Sequence, residues 1–315
     1  MSDEFEIIER WFTRPITDGT VRVGIGDDAS IIDAPGSIAV AVDTLVAGTH
    51  FPEGFDARSI GHRALAVNLS DLAAVSAKPR WATLSLTLPS NDADWLDAFA
   101  SGFFRLADRF GISLVGGDTT RGPLSITVGI AGNAAKATPL RSGGQVGDRI
   151  FVSGTLGDSS AALEHLEDTV ETRSEAVSAL LERFGFPEPR VDLGRGLDGC
   201  AHAAIDISDG LLADLGHICR QSGCGAELDL AGLPFSDALQ RLHPTDSAEA
   251  FALHGGDDYE LCFTVAPNDI GQVLDAAEAT GTRVTEIGEL TEGSRISGRR
   301  DGQTVTLDES GYTHF

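Results

Sequence analysis

Ala204-Ile205-Asp206-Ile207-Ser208-Asp209-Gly210-Leu211-Leu212 consists of an apolar run, a polar turn and the start of a second apolar run. The pattern predicts a strand, then a turn, then a helix. The turn carries the Asp206 and Asp209 carboxylates and the Ser208 hydroxyl at a junction where backbone N–H groups attract anions. Because Mg²⁺ prefers carboxylate oxygens together with substrate phosphates, the turn suits a metal–nucleotide complex. The alternative is that Asp209 is a helix N-cap and Asp206 a strand-end acid.

Composition and charge set the broad class of the protein. With 315 residues the chain is long enough for two domains, at about 150 residues each. A formal net charge of −25 makes nucleic acid an unsuitable partner, because phosphate backbones are bound by basic surfaces. Lys78 and Lys136 are the only lysines. Adaptation to high salt is one hypothesis for this acidic, lysine-poor composition.

The cysteines predict the redox state of the protein. Cys200, Cys219, Cys224 and Cys262 form neither a C-x-x-C pair nor a zinc-binding spacing, so we expect reduced core thiols. The start of the chain lacks the basic and apolar regions of a secretory signal. No apolar run approaches the roughly 20 residues of a membrane helix. We therefore expect a soluble, cytoplasmic protein with no membrane association.

Acidic residues recur at four further places, in glycine turns or inside an apolar run. Asp43 interrupts the strand-like run 38–45, where an acid is costly unless it is paired or bound to a metal. The other three places are Gly26-Asp27-Asp28, Gly116-Gly117-Asp118-Thr119-Thr120 and Gly255-Gly256-Asp257-Asp258. Each alone fits an ordinary Asp-containing turn. Together they favour a site for several cations.

Two basic residues are candidates for binding a phosphate group. His50 lies in the glycine-flanked loop Gly48-Thr49-His50-Phe51, although a lone histidine is more often structural. Arg141 lies in the polar segment 132–147, which predicts an interdomain linker between domains at 1–136 and 137–315. A solvated linker arginine is an equally good interpretation of Arg141.

Periodicity predicts an α/β chain. The predicted helices are 4–12, 57–77, 94–110, 161–166, 175–184, 191–197, 211–215 and 270–279. The predicted strands are 38–45, 81–88, 112–115, 124–130, 149–152, 204–207, 226–230, 261–265 and 283–289. Ser153-Gly154-Thr155-Leu156-Gly157 is similar to a phosphate-binding loop but lacks the Gly-Lys-Ser/Thr ending of a P-loop, so the start of a helix is the favoured interpretation.

Taken together, the motifs resemble those of the thiamine-monophosphate kinase family, in the family's order and along nearly the whole chain. They are Gly26-Asp27-Asp28-Ala29, Asp43-Thr44, Asn68-Leu69-Ser70-Asp71-Leu72-Ala73-Ala74, Gly116-Gly117-Asp118-Thr119-Thr120, Ser153-Gly154-Thr155, Asp206-Ile207-Ser208-Asp209-Gly210-Leu211 and Gly255-Gly256-Asp257-Asp258-Tyr259-Glu260-Leu261. The resemblance implies a two-domain α/β (α+β) fold shared with aminoimidazole ribonucleotide synthetase. It also implies a homodimer whose N-terminal sheets meet in a barrel. The implied reaction is direct, in-line transfer of a phosphoryl group from ATP to thiamine monophosphate, the last step in making thiamine diphosphate.

The resemblance also implies roles for individual residues. The Mg²⁺ ligands would be the carboxylates of Asp28, Asp43, Asp71, Asp118, Asp206 and Asp209, with the carbonyl of Val42 in addition. ATP would contact Gly117, Asp118, Arg141 and Ser208. Thiamine phosphate would face His50 and Asp257. Several Mg²⁺ ions would supply the positive charge that a P-loop lysine supplies elsewhere, and no covalent or base residue is implied.

Three positions depart from the family pattern. Asp257 stands where the family usually has glutamate, so this carboxylate is one methylene shorter and its contact with the substrate is either direct or through water. Glu309 aligns with an aromatic residue that stacks on the substrate ring, and Tyr312 is the nearest aromatic in this chain. The hydroxyl that often precedes Asp43 is absent, because that position is Val42.

Other functions compete with this one. Selenophosphate synthetase would require a reactive cysteine near the N-terminus, and the first cysteine here is Cys200. A hydrogenase-maturation protein of the same superfamily typically ends in a cysteine-bearing tail, whereas this chain ends in Phe315. A metal-dependent hydrolase and a non-catalytic metal- or nucleotide-binding protein also fit the acidic motifs. Release of ADP would discriminate a kinase from a binding protein.

Overall fold

The computed structural model describes residues 4–166 and 173–307. Within them the chain divides into two compact units. The N-terminal unit comprises the described residues through Leu72 together with Ala77–Ala134. The C-terminal unit comprises Ala73–Ser76 and the described residues from Ala135 onward. Among the described helices, none is both long and apolar enough to cross a membrane.

The N-terminal unit is a mixed sheet with three helices. The strands are β1 (Val21–Val23), β2 (Ile31–Ile32), β3 (Ile38–Val46), β4 (Lys78–Leu88), β5 (Ser113–Arg121) and β6 (Ser125–Asn133). The helices are α1 (Glu4–Ile7), which continues as a π-helical turn over Ile8–Phe12, α2 (Ala57–Ala74) and α3 (Ala93–Phe110). β1 pairs with β2, and the larger sheet has the order β3-β6-β4-β5. Its β4–β5 pair is parallel, because α3 carries the chain back between these two strands.

Helix α3 shows why the sequence predicted these elements well. The Asp92 side chain accepts the N–H groups of Asp94 and Trp95 at the helix start. Gly111 ends the helix in the left-handed conformation, with φ 66°. Between these caps the apolar face buries Phe99 and its neighbours in the core. The capping residues and the helical periodicity therefore indicate the same helix boundaries.

The prediction that the strand beginning at Ile112 ends at Val115, before the glycine motif, was wrong. β5 runs through the whole Gly116–Thr120 motif and pairs with β4 as far as Arg121. At Gly117, φ is +152°, and a Cβ there would collide with the backbone of Leu84 in β4. The glycine permits this close approach of two strands rather than a turn.

The C-terminal unit is built on a sheet of seven strands. The strands are β7 (Arg149–Ser153), β8 (Ala201–Asp206), β9 (Gly225–Asp229), β10 (Leu261–Val265), β11 (Val284–Thr291), β12 (Ile296–Arg300) and β13 (Gln303–Thr306), in the order β13-β12-β9-β11-β7-β10-β8. The helices are α4 (Asp158–Ala162), continued by a 3₁₀ turn over Leu163–His165, α5 (Glu175–Gly185), α6 (Val191–Gly196), α7 (Leu211–Ser222), α8 (Asp237–Leu242), α9 (Thr245–His254) and α10 (Ile270–Thr280). All four cysteines lie buried in this unit, and none forms a disulfide within the described chain.

A partly buried ion pair fixes the N-terminal segment to β4. Asp18, whose side chain is 6% exposed, accepts from Nε of Arg80 at 2.9 Å and from Nη2 at 2.7 Å. The Thr20 N–H and hydroxyl also donate to Asp18. The hydrogen bonds from Arg80 hold the pKa of the Asp18 carboxyl well below its usual range, although burial opposes the shift.

We expect Asp18→Asn to lower the free energy of unfolding by about 2 kcal/mol at pH 7, because the mutation leaves the Arg80 charge uncompensated. Because the pKa of Asp18 is lower in the folded state, its carboxylate stabilises the fold at pH values above its unfolded-state pKa of about 3.9. This stabilisation is lost progressively at lower pH. The difference between wild type and variant should therefore narrow as the pH falls below about 4. Urea denaturation at several pH values measures the free energy of unfolding of both proteins, and hence this difference.

Asp33→Asn is the matched control. Asp33 pairs with Arg22 at 3.1 Å, but both side chains are more than half exposed. Exposed pairs contribute little, so this variant should stay within about 0.5 kcal/mol of wild type. Equal effects of the two substitutions, or a difference for Asp18→Asn that does not depend on pH, would contradict the assigned role of the Asp18–Arg80 pair.

Candidate functional site

In the N-terminal unit, two of the candidate carboxylates lie in direct contact. The Asp43 side chain on β3 is hydrogen-bonded to the Asp71 side chain on α2. One turn earlier on α2, Asn68 accepts the Asp43 N–H at 3.1 Å. Burial raises the pKa of Asp43, while the hydrogen bond with Asp71 and the nearby His50 ring act in the opposite direction. Two carboxylates this close share a proton or a cation.

His50 has a defined ring orientation beside this pair. The Val46 N–H donates to Nδ1 of His50 at 3.0 Å, so the neutral ring carries its proton on Nε2. The loop itself is held by the His50 N–H, which donates to the Val46 carbonyl, and by the Gly48 N–H, which donates to the Phe51 carbonyl. His50 is thus positioned as a donor close to Asp43.

Asp28 and Asp118 lie elsewhere in the same unit. Asp28 is exposed, and its N–H donates to the Asp27 side chain at 2.8 Å in a tight turn. The hydroxyl of Ser30 in the same loop lies 3.8 Å from the Cβ position at Gly116, so the loop borders β5. Asp118 is exposed on β5, three strands from β3 in the sheet. Two strands, β6 and β4, therefore lie between the strand that carries Asp118 and the strand that carries Asp43.

In the C-terminal unit, the turn after β8 is held by a carboxylate that sequence reasoning missed. Oδ2 of Asp214, in the first turn of α7, accepts the N–H groups of Ser208 and Asp209, both at 3.0 Å. Burial raises the pKa of Asp214 to about 7, and the charges of Asp206 and Asp209 add to the rise although the hydrogen bonds oppose it. Three carboxylates therefore crowd around one turn, which favours a cation there.

The loop Gly255–Glu260 is tied to this turn by its backbone. The Asp257 N–H donates to the Ser208 carbonyl at 2.9 Å, and the Tyr259 N–H donates to the Ile207 carbonyl at 2.8 Å. The Tyr259 hydroxyl donates to Oδ1 of Asp257 at 2.9 Å. Two motifs that are about 50 residues apart in the sequence thus form one structural element. Asp257 adopts φ +68°, a conformation that aspartate tolerates better than most residues.

Arg141 lies near the same turn. Its backbone carbonyl accepts from the Ser222 hydroxyl at 2.8 Å. Burial lowers the pKa of His217 on α7, and the charge of Arg141 lowers it further while the charge of Asp209 raises it. Because both charges affect the pKa of His217, Arg141 and Asp209 both lie near its ring. Arg141 is itself exposed and available to an anion.

The loop Ser153–Gly157 supports the structural interpretation rather than phosphate binding. The Gly154 N–H donates to the Arg283 carbonyl, and the Leu156 N–H donates to the Pro234 carbonyl. The Gly157 N–H donates to Oδ2 of Asp258 at 2.8 Å. These amides are satisfied within the protein, so this loop does not offer the row of N–H groups that a P-loop does.

The other predicted residues lie either outside the described residues or at separate positions on β3, on β5 and in the turn after β8. Glu309 and Tyr312 lie outside the described residues. Val42 is on β3 and is 64% exposed. Ser208 is partly buried in the turn after β8, and Gly117 lies within β5. The residues that sequence reasoning missed are Asn68, Asp214, His217 and Tyr259. Of these, Asn68 and Tyr259 carried a signal, since each lies within three residues of a candidate acid.

Family models match both units. Residues 26–134 match the model for the AIR synthase related protein, N-terminal domain. Residues 145–301 match the model for the AIR synthase related protein, C-terminal domain. Together these matches cover most of the chain.

Individual relatives agree with the family models. Thiamine-monophosphate kinase from Escherichia coli (strain K12) is 46% identical over 320 residues, which cover 99% of this chain and 98% of the relative. The crystal structure of thiamine-monophosphate kinase from Stenotrophomonas maltophilia K279a matches with a TM-score of 0.87 and 44% identity, covering 94% of this chain and 96% of that one. The structure of AaThiL complexed with AMPPCP and TMP matches with a TM-score of 0.79 and 32% identity. The match covers 88% of this chain and 87% of that one.

We expect Asp214→Ala to loosen the turn after β8, because the N–H groups of Ser208 and Asp209 lose their acceptor. Losing two such bonds should cost about 2 kcal/mol and speed amide hydrogen exchange at both residues by roughly tenfold or more. Exchange measured by NMR reports each amide separately.

Asp214→Asn is the control for this substitution, since the amide oxygen can accept both N–H groups. Exchange at the two amides should then stay within about threefold of wild type, a difference of less than about 0.7 kcal/mol. Unchanged exchange in Asp214→Ala would show that these contacts do not hold the turn.

Proposed function

The chain belongs to the thiamine-monophosphate kinase family, and we propose that it transfers the γ-phosphoryl group of ATP to the phosphate of thiamine monophosphate, giving ADP and thiamine diphosphate. The single observation that supports this most is the crowding of Asp206, Asp209 and Asp214 around one turn. Such crowding is unfavourable without cations and suits a nucleotide bound with Mg²⁺. AaThiL, a structural relative, is complexed with AMPPCP and TMP.

The donor set fits Mg²⁺, which prefers oxygen ligands. We propose as ligands the carboxylates of Asp28, Asp43, Asp71, Asp118, Asp206 and Asp209 and the carbonyl of Val42. Bound Mg²⁺ would neutralise charge on the transferring phosphates. Asp43 and Asp71 support the assignment because they are already in contact, and burial raises the pKa of Asp43. A dication is the partner that keeps both of these carboxylates charged.

The remaining residues would bind and orient the two substrates. Arg141 is proposed to pair with an ATP phosphate, as its exposed side chain near Asp209 allows. Gly117, Asp118 and Ser208 are proposed as further ATP contacts. His50 is proposed to donate Nε2–H to the phosphate of thiamine monophosphate, because Nδ1 accepts from Val46. Orientation of this kind is the main requirement of in-line phosphoryl transfer, which needs no covalent intermediate.

Asp257 is proposed to face the cationic thiamine. Its carboxylate is oriented by the Tyr259 hydroxyl and its backbone by the Ser208 carbonyl. A fixed anion next to a cationic ring lowers the cost of orienting the substrate. The reaction would complete the formation of thiamine diphosphate, and its use of ATP indicates action in the cytoplasm.

The test is a coupled assay of ADP release with Mg²⁺–ATP, in which thiamine monophosphate is compared with free thiamine and the product is identified by chromatography. We expect thiamine diphosphate to form from thiamine monophosphate and no product to form from free thiamine. Free thiamine lacks the phosphate group that His50 and Mg²⁺ are proposed to bind. ATP binding without ADP release would instead favour a binding protein, and turnover of another acceptor would favour a different enzyme of the superfamily.

Asp209→Asn tests the metal ligands within the same assay. We expect turnover to fall on the order of 10²–10³-fold with the fold unchanged, because the variant removes charge that balances the cations at the transferring phosphate. Asp275→Asn, at an exposed position on α10, is the control and should retain turnover. Near-normal turnover of Asp209→Asn would remove this residue from the site.

The exposed side of β3 supports the proposal of a homodimer. β3 is an edge strand of nine residues, with Ile38, Val40 and Val42 exposed by 44%, 73% and 64%. A long apolar edge strand tends to pair with another chain unless it is protected. We propose a second copy as its partner, in keeping with the dimer that the family resemblance implies.

Val40→Lys should therefore shift the protein from dimer to monomer, because a lysine on an edge strand opposes pairing. Light scattering after size exclusion, across a range of concentrations, measures the mass. Leu274→Lys on α10, where Leu274 is 52% exposed, is the control and should leave the mass unchanged. A monomeric wild type, or a dimeric Val40→Lys variant, would contradict the proposed interface.

A further inference from the structure

A second group of potential metal ligands lies in the C-terminal unit, away from the acidic motifs in sequence. Glu164 and His165 lie in the 3₁₀ turn that follows α4, and His243 directly follows α8. One ligand atom from each of the three lies within 4.8 Å of the other two. The set therefore combines two imidazoles and a carboxylate.

His243 is held in a fixed position by its neighbours. Its N–H donates to the Leu239 carbonyl at 3.0 Å, and Pro244 after it is the N-cap residue of α9. The ring packs edge-to-face on Phe251, with centroids 5.0 Å apart and an interplanar angle of 73°. The His165 ring centroid is 6.4 Å from that of His243. A ligand that is already oriented by packing binds a metal with less loss of entropy.

The buried ring nitrogen of His243 indicates that an external ligand belongs here. Nε2 of His243 is inaccessible to water, and none of the described residues hydrogen-bonds to it. A buried polar atom without a partner is unfavourable, and coordination of a metal satisfies it. This observation is independent of the spacing of the three residues.

The chemistry of the donors selects the kind of metal. Zn²⁺ binds histidine nitrogen and glutamate oxygen, and two histidines with one glutamate form a known set that leaves a fourth position for water. Mg²⁺ prefers oxygen ligands only. The group therefore differs in selectivity from the acidic motifs proposed to serve the nucleotide.

We propose that Glu164, His165 and His243 form a binding site for a transition-metal dication, Zn²⁺ being the best fit. The metal joins the end of the α4 segment to the junction of α8 and α9. The beginnings of α4 and α8 are already joined, since the Ser236 hydroxyl donates to Asp158 at 2.6 Å. The metal thus closes the other end of the same helix pair and stabilises the C-terminal unit.

Direct binding is the first test. Metal-free protein is kept in millimolar Mg²⁺ to occupy the acidic motifs and is then titrated with Zn²⁺ against a chromophoric chelator. We expect one equivalent to bind with a Kd of about 1 μM or tighter, and the melting temperature to rise by about 3 °C or more at saturation. Absence of Zn²⁺ binding in the presence of Mg²⁺ would overturn the proposal.

Substitutions locate the bound metal. His243→Gln and Glu164→Gln should each weaken Zn²⁺ binding by at least tenfold and reduce the thermal shift. His62→Gln on α2 removes a histidine from the N-terminal unit and should leave both measurements unchanged. Equal affinity for Zn²⁺ in wild type and His243→Gln would place the metal elsewhere and overturn the proposal.

A measurement on the wild type keeps the test independent of how the variants fold. X-ray absorption of the Zn²⁺-loaded protein should show two imidazoles with Zn–N distances of about 2.0–2.1 Å. Co²⁺ in place of Zn²⁺ should give the strong visible absorption of a four-coordinate site. A first shell of oxygen alone, with the weak absorption of octahedral Co²⁺, would overturn the proposal.

Discussion

The structure of the C-terminal unit depends on one buried charge, the completely buried carboxylate of Glu260. Arg183 from α5 and Arg190 at the start of α6 both donate to it, as does the Ser153 hydroxyl at the end of β7. Burial by itself raises the pKa of Glu260, but the two guanidinium charges outweigh it and hold the pKa below its usual value. A buried charge is tolerated only when it is paired and hydrogen-bonded, so two helices and a strand are constrained to converge on this point. Since Glu260 ends the loop that begins at Gly255, the same pairing fixes where that loop can lie.

In contrast to Glu260, the carboxylates of the candidate site lie close to other carboxylates, which is electrostatically unfavourable. Asp214 is buried beside Asp206 and Asp209, and the half-buried Asp43 contacts Asp71, in a chain whose net charge is already −25. Neighbouring arginines neutralise Glu260, whereas burial and like charges raise the pKa of Asp214. Glu260 is therefore neutralised within the protein, whereas the carboxylates around Asp214 and Asp43 are those for which we propose a bound cation. Unfavourable electrostatics of this kind is concentrated at functional sites, because the ligand supplies the missing stabilisation.

Much of this organisation could be predicted from the sequence, and the remainder could not for physical reasons. Long periodic elements such as α3 were predicted within a residue, and β10 was predicted correctly at both ends, because local pattern and burial agree. The elements α8, α9, β12 and β13 were not predicted. β12 pairs in parallel with the distant β9, whereas its hairpin with β13 turns at Asp301-Gly302, a local signal that the prediction did not use. Asp206 and Asp209 could be predicted as site residues, because both are acids in a turn that contains glycine. Asp214 was not, because its function as an acceptor exists only once the first turn of α7 folds back over Ser208.

The difference at Asp257 shows how backbone and side chain are linked in this loop. The family resemblance implies glutamate at this position, and the aspartate of this chain is one methylene shorter. Its residue has φ +68°, which aspartate adopts more readily than glutamate because its short side chain can bond locally. Tyr259 donates to the carboxylate, and the Asp257 N–H donates to Ser208, so both ends of the residue are fixed. The reach of this anion is therefore set by the turn after β8 rather than by rotation of its own side chain. For the substrate contact that we propose for Asp257, a shorter carboxylate held this firmly favours a bridging water, because a water-mediated hydrogen bond is nearly as favourable as a direct one.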